Sequence, residues 1–386
     1  MADIDVVSNL TFIPYNLINE ELTGLYGNAV LEDMGKIIKM YKVYEKGAEV
    51  ISEGAKGDYV PADLRFKTAR TLIDKEARFL FGRKPDLLVS VEQGDSEISK
   101  EQAKQDSNIL QNLIDSVLLK NNISKKLLQA AKDCFIGKRV ACFLNFDNEN
   151  GGIGIRFAPS LEFIFDVDSE DCDRLTKIVA FYTVKDNKNK AEQEIYKKKY
   201  WMEDGICWVE EAIYDGVGRL KEEITPARKT LFTYIPAVVI INDGLTGDLQ
   251  GESEIGQLED YESWYSRLAN SDMDAERKGM NPIKWARDMS PESTKGLSSA
   301  AGSFWDLQTD QNSADGTTGE VGILETGMGY SAALDTTLKR IKGTMYQQVD
   351  VPDIAELQGR LSSGKELKAI YWGLIVRCDE KMIVWR

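Results

Sequence analysis

The stretch SEIGQLEDYESWYSRLANSDMDAERKGM, residues 253–280, predicts a long amphipathic helix. Positions spaced by three and four residues form one stripe on a helix, and here they are Leu258, Tyr261, Tyr265, Leu268, Asp272 and Ala275. A second helix is predicted before Pro352, with a stripe of Leu334, Leu338, Ile341 and Met345. The segment between the two helices is rich in Ser, Gly, Thr and Asp. Its apolar pieces, PIKWARDM, SFWDLQ and VGILETG, predict strands of a small inserted module.

The chain before the first long helix divides into a helical part and a strand part. Apolar periodicity predicts helices over residues 64–81, 109–118 and 127–131. From Arg139 to Asp243, short β-rich runs such as VACFLNF and KIVAFYTV alternate with turn signals such as NENGG and EDG. This alternation predicts an antiparallel meander. The fold class is therefore α+β.

The composition limits the chemistry that the chain can perform. The 386 residues include 63 acidic and 48 basic side chains, a formal net charge of −15, and no histidine. A Ser-His-Asp triad, a histidine base and a histidine-containing zinc site are therefore excluded. The five cysteines are scattered and never spaced C-x-x-C, so burial as small apolar side chains is favoured over disulfide or metal roles. The acidic balance argues against a broad phosphate-gripping surface.

No segment has the signature of membrane insertion or secretion. The longest apolar stretches, such as IPAVVII at 235–241, are far shorter than the ~20 residues of a membrane helix. The first residues, MADIDVVSNLTF, have neither the basic start nor the apolar core of a signal peptide. We expect a protein that is made and used in a cytoplasm.

One string has both an enzymatic and a structural interpretation. GRLSSGKE, residues 359–366, fits the P-loop pattern G-x-x-x-x-G-K. Glu366, however, stands where a P-loop needs Ser or Thr to hold Mg²⁺, and the preceding residues do not form an apolar strand. A loop followed by a helix capped by Ser362 or Ser363 explains the string in full and is the favoured interpretation. We therefore predict no catalytic residue here.

Two charged strings are best interpreted as solvent-exposed surface segments. DVDSEDCD, residues 166–173, resembles the start of a calcium loop, but Asp171 replaces the required Gly and Lys177 the bidentate Glu. We interpret it as an acidic turn and predict no metal and no cofactor. YKKKYW, residues 196–201, is favoured as a solvated sheet edge over a nucleic-acid patch.

Several longer strings resemble the portal proteins of tailed bacteriophages, in particular the branch common in phages of Gram-positive hosts. In the first part of the chain they are ARFLFGRKP and the IPAVVIIN strand before a Gly/Asp turn. Later they are SEIGQLEDYESWYSRLANSDMDAE, LDTTLKRIKGTMYQQVDVPDI and LSSGKELKAIYWGLIVRCDEKM. The VPDI and SSGKELK strings follow the second long helix at the spacing of the family. The resemblance covers most of the chain and is strongest in its second half.

The resemblance implies a structural protein with the portal fold. Such proteins form a dodecameric ring at one capsid vertex, and double-stranded DNA passes through the central channel during packaging and ejection. The fold has a wing of helices and antiparallel sheet, two long stem helices, a small α/β clip between them, and a tunnel loop leading into a further helix. On this sequence the segments are 1–250 for the wing, 251–278 for the first stem helix, 279–329 for the clip, 330–348 for the second stem helix, 349–363 for the tunnel loop, and 364–386 for a helix returning to the wing, with the crown absent or truncated.

The resemblance also implies site residues. In the DNA channel, the tunnel-loop residues are Arg360, Ser362, Ser363 and Lys365. The stem interface comprises Leu258, Tyr265, Leu268, Leu334, Leu338, Ile341 and Met345. The anchors of the clip are Trp285, Phe304 and Trp305.

The implied partners are other copies of the chain in a homo-oligomer, double-stranded DNA without sequence specificity, the terminase large subunit, the head-tail adaptor, and the major capsid and scaffold proteins. No membrane is implied, and the location is the portal vertex of the virion after assembly in the host cytoplasm. Two alternatives stay open. One is a P-loop-like nucleotide-binding enzyme that uses Gly359 to Lys365, and the other is a generic scaffold or interaction protein that binds a partner through residues 280–330.

Overall fold

The computed structural model describes residues 13–22, 27–49, 61–83, 85–89, 97–147, 152–185, 192–245, 247–280, 283–287, 289–290, 292, 295, 307–308, 319–324, 329–353 and 364–385. These residues form a mixed α+β fold of helices and antiparallel sheets, which confirms the predicted class. The chain divides into two compact units. The first comprises Met1–Ala48, Lys67–Glu262 and Met345–Arg386, and the second comprises Glu49–Phe66 and Ser263–Thr344.

Helices precede the sheets in the first unit. They are α1 (Tyr15–Glu21), α2 (Gly27–Lys46), α3 (Thr68–Phe81), α4 (Glu97–Lys120) and α5 (Ile123–Gly137). The three helices predicted in this part correspond to α3, α4 and α5, and α3 ends just before Gly82, as expected. The helical core of the unit forms where α2, α3 and α5 turn their apolar faces inward, with Ile37, Leu72, Ile73 and Phe135 fully buried.

Two antiparallel sheets follow. A three-stranded sheet has the order β2-β1-β8, and a five-stranded meander has the order β3-β4-β5-β6-β7. The strands are β1 (Arg139–Asp147), β2 (Gly152–Pro159), β3 (Phe163–Val167), β4 (Leu175–Lys185), β5 (Glu194–Glu203), β6 (Ile206–Asp215), β7 (Leu220–Lys229) and β8 (Ala237–Ile241). Between β5 and β6, Asp204 and Gly205 both have positive φ, as the tightest hairpin turn requires. The predicted meander is found over β3 to β7, whereas β8 returns to pair with β1, so residues 139–243 form two antiparallel sheets and not a single meander.

The five-stranded sheet is covered on both faces. On one face, Leu17 of α1 packs with Val179, Phe181 and Ile195. On the other face, Ile178, Tyr200 and Val209 pack with residues of the three-stranded sheet that include Phe143. The sheet is therefore a buried layer of the first unit.

The lysine cluster of β5 does not lie at a sheet edge, so this expectation was wrong. Strand β5 is the middle strand of the meander. Lys197 and Lys199 bind the carboxylate of Glu21 at 2.7 and 2.9 Å, and Lys198 binds Glu211 at 2.8 Å on the opposite face. Burial by itself would raise the pKa of Glu21, but the two lysines lower this pKa below its ordinary value. The cluster therefore fastens α1 to the sheet.

The long helices and the inserted strands occur where the sequence predicts them. The elements are α6 (Glu254–Met280), β9 (Ile283–Arg287), β10 (Glu320–Leu324), α7 (Ser331–Gln348), α8 (Gly364–Ile370) and α9 (Trp372–Val384). Strands β9 and β10 form an antiparallel pair from PIKWARDM and VGILETG, whereas residues 303–306 of SFWDLQ lie outside the described residues.

A buried ion cluster joins α3, the first turn of α6 and α9. Glu76 and Glu254 are completely buried. Arg377 Nε lies 2.9 Å from Glu76 Oε1, and Lys381 Nζ lies 2.8 Å from the same oxygen. Both cations also contact Glu254, whose Oε1 accepts a hydrogen bond from Asn242. Two carboxylates are therefore balanced by two cations in the interior.

The two glutamates of this cluster differ in their pKa. Burial and the neighbouring carboxylate of Glu254 raise the pKa of Glu76. Burial would also raise the pKa of Glu254, but the charges of Lys381 and Arg377 lower it below its ordinary value. The cations therefore favour the ionised form at Glu254, whereas at Glu76 burial and the neighbouring carboxylate outweigh their effect on the pKa.

A second buried carboxylate of α6 caps α3. The residue before α3, Lys67, provides no side-chain cap. Instead, Glu262 Oε2 accepts a hydrogen bond of 2.7 Å from the backbone N–H of Ala69. An acceptor at this position satisfies one of the unpaired N–H groups of a helix start. Burial raises the pKa of Glu262 to about 7, although the backbone N–H groups of Ala69, Ala48 and Thr68 oppose the shift.

We expect Arg377→Met to lower the free energy of unfolding by about 3 kcal/mol or more, because it leaves a buried carboxylate uncompensated. Denaturant unfolding followed by circular dichroism measures the change. The matched control is Lys39→Met, which removes an ion pair to Glu259 whose lysine is 63 % exposed. It should cost about 1 kcal/mol or less. Equal losses in the two variants would contradict a special role for the cluster.

The raised pKa of Glu262 makes stability depend on pH. Between the ordinary pKa of 4.5 and about 7, the folded chain keeps a proton that the unfolded chain releases. The contribution of Glu262 to the free energy of unfolding therefore falls as the pH rises through this window, by at most ~3 kcal/mol.

Glu262→Gln retains an acceptor for the N–H of Ala69 but cannot titrate. We therefore expect this variant to gain stability relative to the unmodified chain between pH 5 and pH 8, measured by denaturant unfolding at both values. Asp260→Asn, which changes an exposed carboxylate of the same helix, should follow the unmodified chain. A parallel pH dependence in all three proteins would refute the assignment.

Candidate functional site

The described residues offer no cluster of side chains for a metal ion. They hold no group of three or more His, Cys, Asp or Glu side chains that could bind a metal ion. Among the cysteines, Cys134, Cys207 and Cys378 are buried, Cys142 is half-buried and Cys172 is exposed. Burial raises the pKa of both Cys134 and Cys378 to about 12, so these two thiols remain protonated and unreactive at neutral pH.

Within the described parts of the chain, no helix combines the length and the apolar character needed to cross a membrane.

Most of the predicted tunnel loop lies outside the described residues, including Arg360, Ser362 and Ser363. The described residues resume with helix α8 at Gly364, and the single helix predicted here is divided at Tyr371 into α8 and α9. Lys365 is exposed in its first turn, and Glu366 is acidic in the same turn. On the other side of the loop, Val349 and Val351 are buried and residues 351–353 form no strand. The described flanks therefore lack the strand that precedes a P-loop.

The predicted stem positions divide into core residues and half-buried residues. Leu258 and Met345 are completely buried in the helical core of their own chain, so they are not available to a neighbouring chain and the interface prediction is corrected for both. Leu334, Leu338 and Ile341 are half-buried along one face of α7. Tyr265 and Leu268 of α6 are also half-buried.

Helix α6 is partly covered by a segment that the sequence patterns did not connect with it. Asn270 forms two hydrogen bonds with the backbone of Leu64, accepting from its N–H at 2.9 Å and donating to its carbonyl at 2.8 Å. Asp274 accepts from the N–H of Ala62 at 3.0 Å, and the ring of Tyr265 meets that of Phe66 edge to face, with centroids 5.0 Å apart. Residues 62–66 therefore run along this helix within the second unit.

Backbone contact between α6 and α7 is sparse in the single chain, although Leu258 and Met345 belong to the same apolar core. These two helices are not among the element pairs with extensive contact. They approach each other at the start of α7, where partial burial and the carboxylates of Asp272 and Glu276 raise the pKa of Tyr330. The half-buried face of α7 is thus left without a full cover by α6.

The predicted clip is described at its two strands and at a few residues between them. Trp285 of β9 lies opposite Gly322 of β10, and a Cβ atom at Gly322 would meet the indole at 2.5 Å. Trp285 is 40 % exposed, and Val321 and Ile323 on the other face are more than half exposed. Phe304 and Trp305 lie outside the described residues. A two-stranded ladder with exposed apolar faces is marginal by itself.

Comparison with known proteins identifies the family of the chain. Residues 26–386 match the sequence model of the family described as phage portal protein, SPP1 Gp6-like. A search of curated proteins finds no significant match. Among solved structures, the crystal structure of an HK97 family phage portal protein from Corynebacterium diphtheriae is similar, with 11 % sequence identity and a TM-score of 0.33. The similarity covers 78 % of this chain and 82 % of that chain.

The family match extends over all the long elements from α2 to α9 and confirms the resemblance seen in the sequence strings. Portal proteins are structural components of the virion capsid. The chain therefore belongs to the SPP1 Gp6-like family of phage portal proteins.

Proposed function

We propose that the protein forms a dodecameric ring at one vertex of a phage capsid and conducts double-stranded DNA during packaging and ejection. Membership of the portal family is the observation that carries this proposal. The protein acts as a structural channel without chemistry of its own. Its docking partners are the terminase large subunit, the head-tail adaptor, and the major capsid and scaffold proteins.

The length and charge of the chain suit a DNA conduit. The 27 residues of α6 span about 40 Å, comparable to one turn of B-DNA at about 34 Å. Each phosphate that a cation neutralises adds a salt-dependent attraction, so a conduit must offer few such contacts. A net charge of −15 per chain, repeated around a ring, favours sliding over retention of the duplex.

The half-buried stripe of α7 is the proposed contact between neighbouring stem helices. Leu334, Leu338 and Ile341 retain exposed apolar surface in the single chain. In a ring, each copy meets the next through two different surfaces, and such contacts close on themselves. The stripe on α7 of one copy would pack on α6 of its neighbour, where Trp264 is 55 % exposed.

The clip and the tunnel loop complete the proposal. Strands β9 and β10 would gain stability by pairing with the same module of neighbouring copies, because a lone two-stranded ladder is marginal. The tunnel loop would bring Arg360, Ser362, Ser363 and Lys365 to the channel. Isolated cations would give weak contacts that carry no sequence information.

We expect Leu338→Asp to prevent ring assembly, because it places a charge on the proposed contact between stem helices. Native mass spectrometry and negative-stain images measure ring formation, and circular dichroism checks the fold. Thr336→Asp introduces the same charge on an exposed position of α7 and serves as the matched control. Rings in both variants would show that the α7 stripe is not a contact, whereas absence of rings in the unmodified protein would count against the portal function itself.

The tunnel-loop proposal is separated from the enzyme alternative by two further substitutions. We expect Lys365→Ala to leave ATP hydrolysis by the terminase motor unchanged, and Arg360→Ala to alter packaging or retention of DNA in an in vitro packaging assay. Lys368→Ala, at another exposed lysine of α8, is the control. ATP turnover by the isolated protein that Lys365→Ala abolishes and Lys368→Ala preserves would restore the nucleotide-binding alternative.

A further inference from the structure

A groove of about 770 Å³ opens beside β8 in the first unit. Its floor and walls come from β8, from strands β3 to β5 and from the end of α9, and its apolar lining includes Phe165, Leu175, Met202, Val238, Val239 and Ile383. Val238 is 60 % exposed and Ile383 is 71 % exposed. Exposed apolar side chains gathered in one groove mark an interaction surface.

Among the described residues, no strand pairs with the outer edge of β8, which faces this groove. Strand β8 is an edge strand, because the order of its sheet is β2-β1-β8. The N–H of Leu144 bonds to the carbonyl of Pro236, and the same register makes Val238 and Ile240 the residues that bond to β1. Hydrogen bonding alternates along an antiparallel pair, so the N–H and C=O groups of Val239 point away from β1. A further strand could pair with them.

The sequence of β8 contains none of the features that normally protect an edge. Its residues are AVVII, without a charge or a proline. Strand β7, which is an edge of the other sheet, instead contains Pro226 and charges at Lys221, Glu222 and Arg228. Edges are commonly blunted by such residues, and extended peptides add to the edges that lack them. The chain therefore protects β7 and leaves β8 open.

An acidic turn forms the rim of the groove. Asp171, Cys172, Asp173 and Arg174 line it, and residues 168–174 carry four carboxylates against one guanidinium. Asp168 and Asp171 accept hydrogen bonds from the backbone N–H groups of Glu170 and Asp173, which holds the turn in shape. This rim attracts a basic partner and disfavours a second copy of a chain with a net charge of −15.

We propose that the groove binds an extended apolar segment of a partner protein, flanked by Lys or Arg, as a fourth strand beside β8. Main-chain hydrogen bonds to Val239 give the affinity, the apolar lining accepts alternate side chains, and the carboxylates of Asp171 and Asp173 select the basic flanks. The site goes beyond the ring and channel functions and does not depend on them.

The test uses a fluorescein-labelled valine–threonine repeat of about nine residues, with two lysines at each end, long enough to span β8. Fluorescence polarisation measures its binding to the purified protein. We expect a matched peptide with glutamates in place of the lysines to bind about tenfold more weakly. Asp171→Lys combined with Asp173→Lys should reverse this preference, since both positions are exposed. Circular dichroism checks that this variant folds, because the side chain of Asp171 also accepts a hydrogen bond within the turn.

A second pair of variants tests the strand pairing. Val239→Pro removes the outward N–H without removing a bond to β1 and should abolish binding, whereas Val239→Thr keeps the N–H and should preserve it. Circular dichroism checks that both variants fold. The proposal fails if the lysine peptide does not bind at millimolar concentration, if the charge reversal leaves the preference unchanged, or if Val239→Pro binds normally. It also fails if the polarisation of the peptide falls as the protein concentration is raised, because the groove then holds a second copy of the chain.

Discussion

The buried ion cluster of Glu76, Glu254, Arg377 and Lys381 is the interaction on which the arrangement of the first unit depends. It joins three helices, α3, α6 and α9, that are far apart in the sequence. Burying two carboxylates is costly unless cations and hydrogen bonds compensate them. Because Arg377 and Lys381 come from the returning helix, residues near the C-terminal end of the sequence help to hold the start of α6 in place.

The buried face of α6 is more polar than its sequence pattern suggests. The residues four apart along it are Glu254, Leu258, Glu262, Ser266 and Asn270, and all five are buried. Glu254, Glu262 and Asn270 each have a partner outside the helix: the ion cluster, the start of α3 and the backbone of Leu64. Apolar packing tolerates rotation and sliding better than directional hydrogen bonds do. The polar face thus determines both the rotation and the axial position of this helix, which suits the proposed stem of a DNA channel.

Local patterns were sufficient to predict the elements but not their partners. The meander, the end of α3 before Gly82 and the strands β9 and β10 depend on periodicity and turn residues, which a single sequence contains. The apolar stripe of α6 misidentified its buried face, because Glu262 is buried by a bond to Ala69, a residue 193 positions away. Lys197 and Lys199 were misjudged for the same reason, since their partner Glu21 lies on α1. The site predictions for Leu258 and Met345 failed because a helix stripe does not reveal whether its own chain or a neighbour covers it.

The face of α7 and the edge of β8 are both partly exposed, but they suit different kinds of partner. The face of α7 with Leu334 and Leu338 is apolar and lies on a rigid helix, so an identical chain can cover it without refolding. The outer edge of β8 has no strand partner in the described part of the chain and lies beside an acidic rim, and an extended segment can use both. A protein that must both assemble with its own copies and recruit other proteins needs surfaces that do not compete. Helix packing on α7 would serve the assembly of copies, and strand addition at β8 would serve the recruitment of other proteins. The two contacts would stay separate, because a packed helix cannot pair with a strand edge and an extended segment cannot replace a packed helix.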